Sequence, residues 1–298
     1  MWPSDPPAPG TCASATRRPT TRSWRRWRAS SGSWSATTPD ARSNSGPSPS
    51  RVDVLSATAR EYADTVGRAL EPVAHQVVAR ATLRPGERVL DIGTGTGNGA
   101  AAAVGEGRRV VGVDAAAGML QIARARVPDA EFVEAEFAAL PFEDAAFDAI
   151  LAVHAINFAA DLAAVLREWR RVATEAARLS VSFPGPRERL PVSLYGEVWA
   201  HYGLRLPQET PMDAVLAAAE AAGWRVASTD ADPTIEVVLA DVDAFHRWRS
   251  TGSRGRATTG WPPDRLEALD ADMLAVTPRG PAGELRIPFG ALFLTATA

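Results

Sequence analysis

Four glycines on alternate positions, Gly93, Gly95, Gly97 and Gly99, follow an apolar run and a single acid in the stretch VLDIGTGTGNG from Val89 to Gly99. Glycine recurs in this way where a chain must turn through positive φ and where a ligand comes close to the backbone. Such a turn can face a pyrophosphate or a ligand without phosphate. The neighbouring residues separate the two. The dinucleotide pattern G-x-G-x-x-G wants a small sixth residue, and counting from Gly93 the sixth is Asn98. Counting from Gly95 ends acceptably at Ala100 but moves the turn two residues past the apolar run. Asp91 decides more, because a carboxylate just ahead of the turn repels phosphate and attracts a cation.

S-adenosylmethionine has the required chemistry: an ammonium, a sulfonium, no phosphate, and a ribose whose hydroxyls suit an acid. Asp114 closes the next apolar run, RRVVGVD, and is placed to be that acid. A hydrogen bond to a charged group of this kind contributes about 1.5–3 kcal/mol. NAD enzymes use an acid at the same point, so the choice of cofactor rests on Asp91.

A ligand turn needs a frame, and the sequence supplies one. From about residue 52 the pattern becomes regular, and the segment SATAREYADTVGRALEPVAHQVVARA has helical periodicity, interrupted at Pro72, which predicts two helices meeting there. A strand through Val89–Ile92 follows, then a helix over 98–106, a strand ending at Asp114, a helix over 118–126 and the strand AEFVEAE. The strand FDAILAVHA, a helix over 161–173 and the strand RLSVSF complete five β-then-α units. Parallel neighbours require crossover helices, so the expected fold is α/β, a doubly wound Rossmann-like sheet of seven strands. It is expected to be mostly parallel with an antiparallel edge strand, and to carry a helical insertion near the C-terminus. The remainder predicts a helix over 212–222, strands over 224–229 and 235–239, helices over 242–249 and 264–276, and one last strand, GELRIPFGALFLTATA. In open sheets of this class ligands bind at the carboxyl ends of the strands, where the glycine turn falls.

From about Ala59 to Ser182 the chain resembles class I S-adenosylmethionine-dependent methyltransferases, in the small-molecule group similar to the ubiquinone and menaquinone biosynthesis enzymes. VLDIGTGTG resembles the first motif of that family, GVDAAAGML the second, EAEFAALPFEDAAFDAIL the third and fourth, and LREWRRV the helix after them. The resemblance implies that Asp91 and Gly93 face the methionyl amino group while Gly95 and Gly97 allow close approach. It implies Asp114 for the ribose hydroxyls, Ala115 and Met119 flanking the adenine, Glu136 and Phe137 at the adenine edge, and Tyr62 closing over the methionyl end. His154 follows the fourth strand, near where the methyl group is presented, and is the candidate general base. Two departures stand out: TEAAR replaces a frequent Pro-Gly-Gly turn before strand five, and Ala116 stands where a serine is common.

Composition bounds the rest. The chain has 298 residues, of which 46% are hydrophobic and 22% charged, the profile of a globular protein with a sizeable core. Residues 1–51 hold eight arginines against two aspartates without a sustained period, and are expected to be a disordered tail or a mis-assigned start. Residues 52–298 are then the methyltransferase domain, with 52–183 as cofactor-binding core and 184–298 covering the substrate and completing the sheet. The domain is acidic, which disfavours nucleic acid. No apolar stretch spans a bilayer and no secretory signal is evident, so a cytoplasmic location is expected. The lone Cys12 excludes a cysteine-rich zinc site, and no metal is expected. It also closes the covalent route to C5-methylated pyrimidines, and no Asn/Asp-Pro-Pro-Tyr/Phe follows strand four. What remains is a small-molecule acceptor at O, C or N, taken by a monomer or homodimer, with Tyr195, His201, Tyr202 and His246 as candidate pocket residues. Trp169, Trp199, Trp224 and Trp248 read as packing residues. Two other readings are a non-catalytic S-adenosylmethionine-binding protein and an NAD(P)-dependent oxidoreductase. The second lacks a Tyr-x-x-x-Lys pair, since the chain has no lysine.

Overall fold

The computed structural model describes residues 50–185, 191–204, 211–232, 234–251, 255 and 257–298. The expected tail therefore lies almost wholly outside the described residues. Five strands, β1 (Arg88–Ile92), β2 (Arg109–Asp114), β3 (Glu131–Glu134), β4 (Phe147–Val153) and β5 (Ala173–Pro184), pair in parallel in the order 3-2-1-4-5. Order reverses beside β1, and the carboxyl ends of β1 and β4 flank that switch point. Alternate residues of these strands feed two cores. Val89 and Leu151 join one, and Leu90, Ile92, Ile150 and Ala152 the other, as a sheet covered on both faces requires.

The antiparallel member is β9 (Ala291–Thr297), which lies between β5 and β6 (Arg225–Asp232). It is thus one strand in from the edge, and β6 forms the edge itself. The expected single last strand is two. β8 (Leu285–Pro288) pairs with β7 (Glu236–Leu239) in a separate sheet, and β9 begins after Phe289 and Gly290. Gly290 has φ of +48°, and the N–H groups of both residues converge on Ile235 O. That kink moves the chain from one sheet to the other.

The first helices also differ from expectation. α1 (Arg51–Ala57) is capped by Ser50 and followed by α2 (Ala59–Tyr62), then a π turn (Ala63–Gly67), then α3 (Arg68–Ala81). α3 runs through Pro72. The proline is the fifth residue of α3, and the helix is continuous through it; the irregularity is the π turn directly before α3. Short α4 (Asn98–Ala103) and α5 (Ala117–Arg126) follow β1 and β2, and α6 (Leu162–Val172), capped by Asp161, leads straight into β5. TEAAR lies within β5, where the pairing with β4 jumps from Phe147↔Ala173 to Ala149↔Arg178, so a bulge stands where the turn would be. α7 (Pro191–His201), α9 (Val242–Ser250), α10 (Pro263–Val276) and the small sheet form a cover whose core is continuous with that under α3, while α8 (Met212–Ala221) packs on α6. All four tryptophans named above are buried. No helix among the described residues is long and apolar enough to cross a membrane.

Candidate active site

The glycine turn leaves β1 at its carboxyl end, and Gly93, Gly95 and Gly97 all have positive φ, as the spacing requires. They differ in what surrounds them. A Cβ on Gly95 would meet nothing within 4 Å, so the backbone there is open to a ligand. On Gly93 it would overlap Ala155 Cβ, and on Gly97 it would come within 3.2 Å of Ala123 Cβ. Gly97 therefore lets α5 pack against the turn, and the expectation that it opens the backbone to a ligand is corrected. Gly99 has the same inward role, because a Cβ there would overlap the Asp91 carboxylate.

Asp91 is fully buried beneath the turn rather than facing a ligand, which corrects the second expectation. Thr94 Oγ1 donates to Oδ2 at 2.6 Å and Ala100 N–H donates to the same oxygen at 2.8 Å. Oδ1 is buried without a partner. Burial, partly offset by those two donors, pushes the carboxyl up to about 6. Asp114 is half-buried at the end of β2 and takes Gly95 N–H on Oδ2 and Ala116 N–H on Oδ1, each at 2.9 Å. Burial also raises this carboxyl, and the charge of Glu136 adds to the effect. The turn thus hands N–H groups that a pyrophosphate would need to two carboxylates. Ala115 lies at the same strand end, and Met119 is buried with Ala59 and Ala116 against Tyr62. Phe137 is half-buried, its carbonyl accepting Trp169 Nε1–H at 2.9 Å.

His154 follows β4 with φ of +55°. Its Nδ1 stands 3.0 Å from Ser182 Oγ, its ring lies parallel to Phe289 with centroids 5.4 Å apart, and its Nε2 is buried without a partner. Burial drives the imidazole down to about 3. It is therefore uncharged at neutral pH.

Tyr195, Tyr202 and His246 have polar partners within the cover. Tyr195 is buried in the core with its hydroxyl 2.8 Å from Thr277 Oγ1. Tyr202 donates to Asp272 Oδ2 at 2.8 Å, which ties α7 to α10. His201 is exposed at the end of α7, and His246 is exposed on α9, 3.6 Å from Asp270 Oδ2. Sequence reasoning missed Asn98, Arg126, Asn157, Ser182 and Phe289. Asn98 Nδ2 donates to Gly67 O at 2.7 Å, and Arg126 Nη1 donates to Asn98 Oδ1 at 2.8 Å and Thr96 O at 2.9 Å. Only Asn98 left a signal, as the residue that breaks the dinucleotide pattern. Among the described residues, no group of three or more His, Cys, Asp or Glu is placed to hold a metal ion.

This sheet order, with a glycine turn after β1 and an acid ending β2, is that of the Rossmann-like class I methyltransferases. Residues 90–181 match the family profile described as a methyltransferase domain. Over 108 residues the chain is 39% identical to the demethylmenaquinone methyltransferase of Beutenbergia cavernae, covering 35% of this chain and 45% of that one. The Thermus thermophilus enzyme of the same name is 39% identical over 127 residues, covering 40% and 56%. The chain thus spans about half the length of the curated relatives it matches. Phosphoethanolamine N-methyltransferase 2 of Haemonchus contortus shares the fold with a TM-score of 0.53 at 16% identity, over 84% of this chain and 60% of that one. The cyclase SpnF does so with 0.52 at 22% identity, over 76% and 80%. Residues 90–181 thus match a methyltransferase domain on a class I methyltransferase fold, and over about a third of its length the chain is similar to the demethylmenaquinone methyltransferases.

Proposed function

We propose that the chain is an S-adenosylmethionine-dependent methyltransferase acting on a small molecule. One observation carries the reading: the N–H of Gly95, the one turn glycine with open space over it, is bonded to a carboxylate, and a second carboxylate lies buried beneath the same turn. That arrangement suits a cationic ligand with ribose hydroxyls and opposes a pyrophosphate. Asp114 and the Gly95 backbone would hold the ribose end, Ala115, Met119, Glu136 and Phe137 the adenine, and Tyr62 the methionyl end, with the Asp91 charge acting from below. When bound, S-adenosylmethionine supplies a methyl group on a sulfonium. The chain's own residues then position the acceptor and exclude water, the main sources of rate in such a displacement.

Residues 52–183 form the cofactor-binding core in this reading, and residues 184–298 complete the sheet and cover the acceptor. The acidic balance beyond residue 51 supports a small-molecule partner over nucleic acid. A cytoplasmic monomer or homodimer accords with these features. Calorimetric titration of S-adenosylhomocysteine, beside NADPH, tests the cofactor. Micromolar binding of the first alone, weakened at least tenfold in Asp114→Ala, is expected; binding of NADPH alone would overturn the reading. The fold also serves a protein named as a cyclase, so methyl transfer into a metabolite extract separates a methyltransferase from a protein that binds the cofactor for another purpose.

A further inference from the structure

Three buried side-chain polar atoms without a hydrogen-bond partner, Asp91 Oδ1, His154 Nε2 and Asn157 Oδ1, belong to residues on β1 and on the loop after β4. An unmet buried group costs on the order of 1–3 kcal/mol. Two of them, His154 Nε2 and Asn157 Oδ1, belong to residues three apart on the loop after β4. The loop lies against the glycine turn, because a Cβ on Gly93 would overlap Ala155. Ser182 fixes the imidazole from one side: its Oγ stands 3.0 Å from Nδ1 and accepts the His154 N–H at 3.2 Å. Phe289 holds the ring plane, parallel to within 14°. Nε2 is then the ring nitrogen left for a ligand. His154 also keeps a left-handed backbone, a conformation that costs a non-glycine residue about 1–3 kcal/mol and clusters at functional sites.

Resting on the methyltransferase reading, we propose that His154 and Asn157 bind the polar end of the methyl acceptor, and that this end is an uncharged hydroxyl. A hydroxyl both donates and accepts, so it can accept from Nε2–H and donate to Asn157 Oδ1 at once, in the tautomer whose Nδ1 accepts from Ser182 Oγ–H. The imidazole is depressed by burial alone, with no charged side chain acting on it. A carboxylate or phosphate would enter without a counter-charge, and near the buried Asp91 acid, at a large desolvation cost.

The test uses the full chain with nitrogen-15 histidine, saturated with S-adenosylhomocysteine and titrated in parallel with phenol and benzoate. Phenol is expected to shift the His154 Nε2 resonance saturably, and benzoate to act at least tenfold more weakly. Asn157→Ala should weaken the phenol response at least fivefold while S-adenosylhomocysteine affinity stays within twofold. His154→Phe should abolish saturable phenol binding. If the wild type fails to take up S-adenosylhomocysteine, the methyltransferase reading falls and this proposal with it. If it binds, yet phenol leaves His154 unmoved or benzoate moves it equally, this proposal alone falls.

Discussion

Asp91 holds a carboxylate out of water with one oxygen unmet, an arrangement that opposes folding at neutral pH. Its rise from 3.8 to about 6 corresponds to a cost of about 3 kcal/mol once the group is ionised. Asparagine would keep the oxygen that Thr94 and Ala100 engage and remove the charge. Asp91→Asn is therefore expected to raise the melting temperature at pH 7.5 by several degrees. It should also weaken S-adenosylhomocysteine at least tenfold, because the buried charge beneath the ligand's ammonium group is gone. Thermal unfolding and calorimetry on the same preparations check both, and a variant less stable than the wild type would refute the argument. Residue types alone revealed a turn built for a ligand, since alternate glycines after a strand have few other uses. They did not reveal which glycines face inward. That depends on Ala123 and on the Asp91 carboxylate across the packing, and nothing local in the sequence encodes those contacts.

At the scale of elements, the π turn and the glycine turn are joined through Asn98. This side chain spans from Gly67 O to Arg126, and Arg126 Nη2 continues to Glu71 Oε1 at 3.1 Å. Tyr62 immediately precedes the π turn, so the clamp sets its position above Met119. Asn98→Ala removes a buried donor and acceptor at once and is expected to destabilise the chain by about 1–3 kcal/mol. It should also raise the KM for S-adenosylmethionine more than it lowers kcat. Restoring the contacts with Asn98→Gln in part, but not with Asn98→Leu, would distinguish positioning from mere packing; equal effects of all three would count against it. The five parallel strands were legible because each is an apolar run of strand length bounded by turn residues. The small sheet's pairing was not: β7 falls on the strand expected over 235–239, but its partner β8 lies far along the chain and was read as one strand with β9. Pro72 misled because the helix continues through it and the irregularity falls in the π turn upstream, which the residue types do not mark. The cover aromatics misled for a related reason: their polar tips find partners within the cover, a long-range outcome that no spacing records.

Across the whole molecule, the two most perturbed site groups have opposite effects on stability as pH changes. Asp91 binds a proton more tightly folded than unfolded, so between about pH 4 and 6 its contribution to stability falls as pH rises. His154 binds a proton less tightly folded, so from about pH 3 to 6.5 its contribution rises with pH. Each slope approaches 1.4 kcal/mol per pH unit, and over about pH 4 to 6 they oppose one another. Together the pair makes almost no net contribution to pH dependence in that range. Removing either group should expose the other. Asp91→Asn is expected to lose stability relative to the wild type on acidification from about pH 6 to 4, and His154→Asn to gain it, each by about 1–3 kcal/mol over the range. Urea unfolding of the three proteins at matched pH values reads the effect directly. Three parallel curves would mean that neither group is held in the protonation state its burial implies. Curves diverging in the stated directions would show that one recess keeps an acid ionised and a base uncharged at neutral pH, as a site for a cationic cofactor and a neutral acceptor requires.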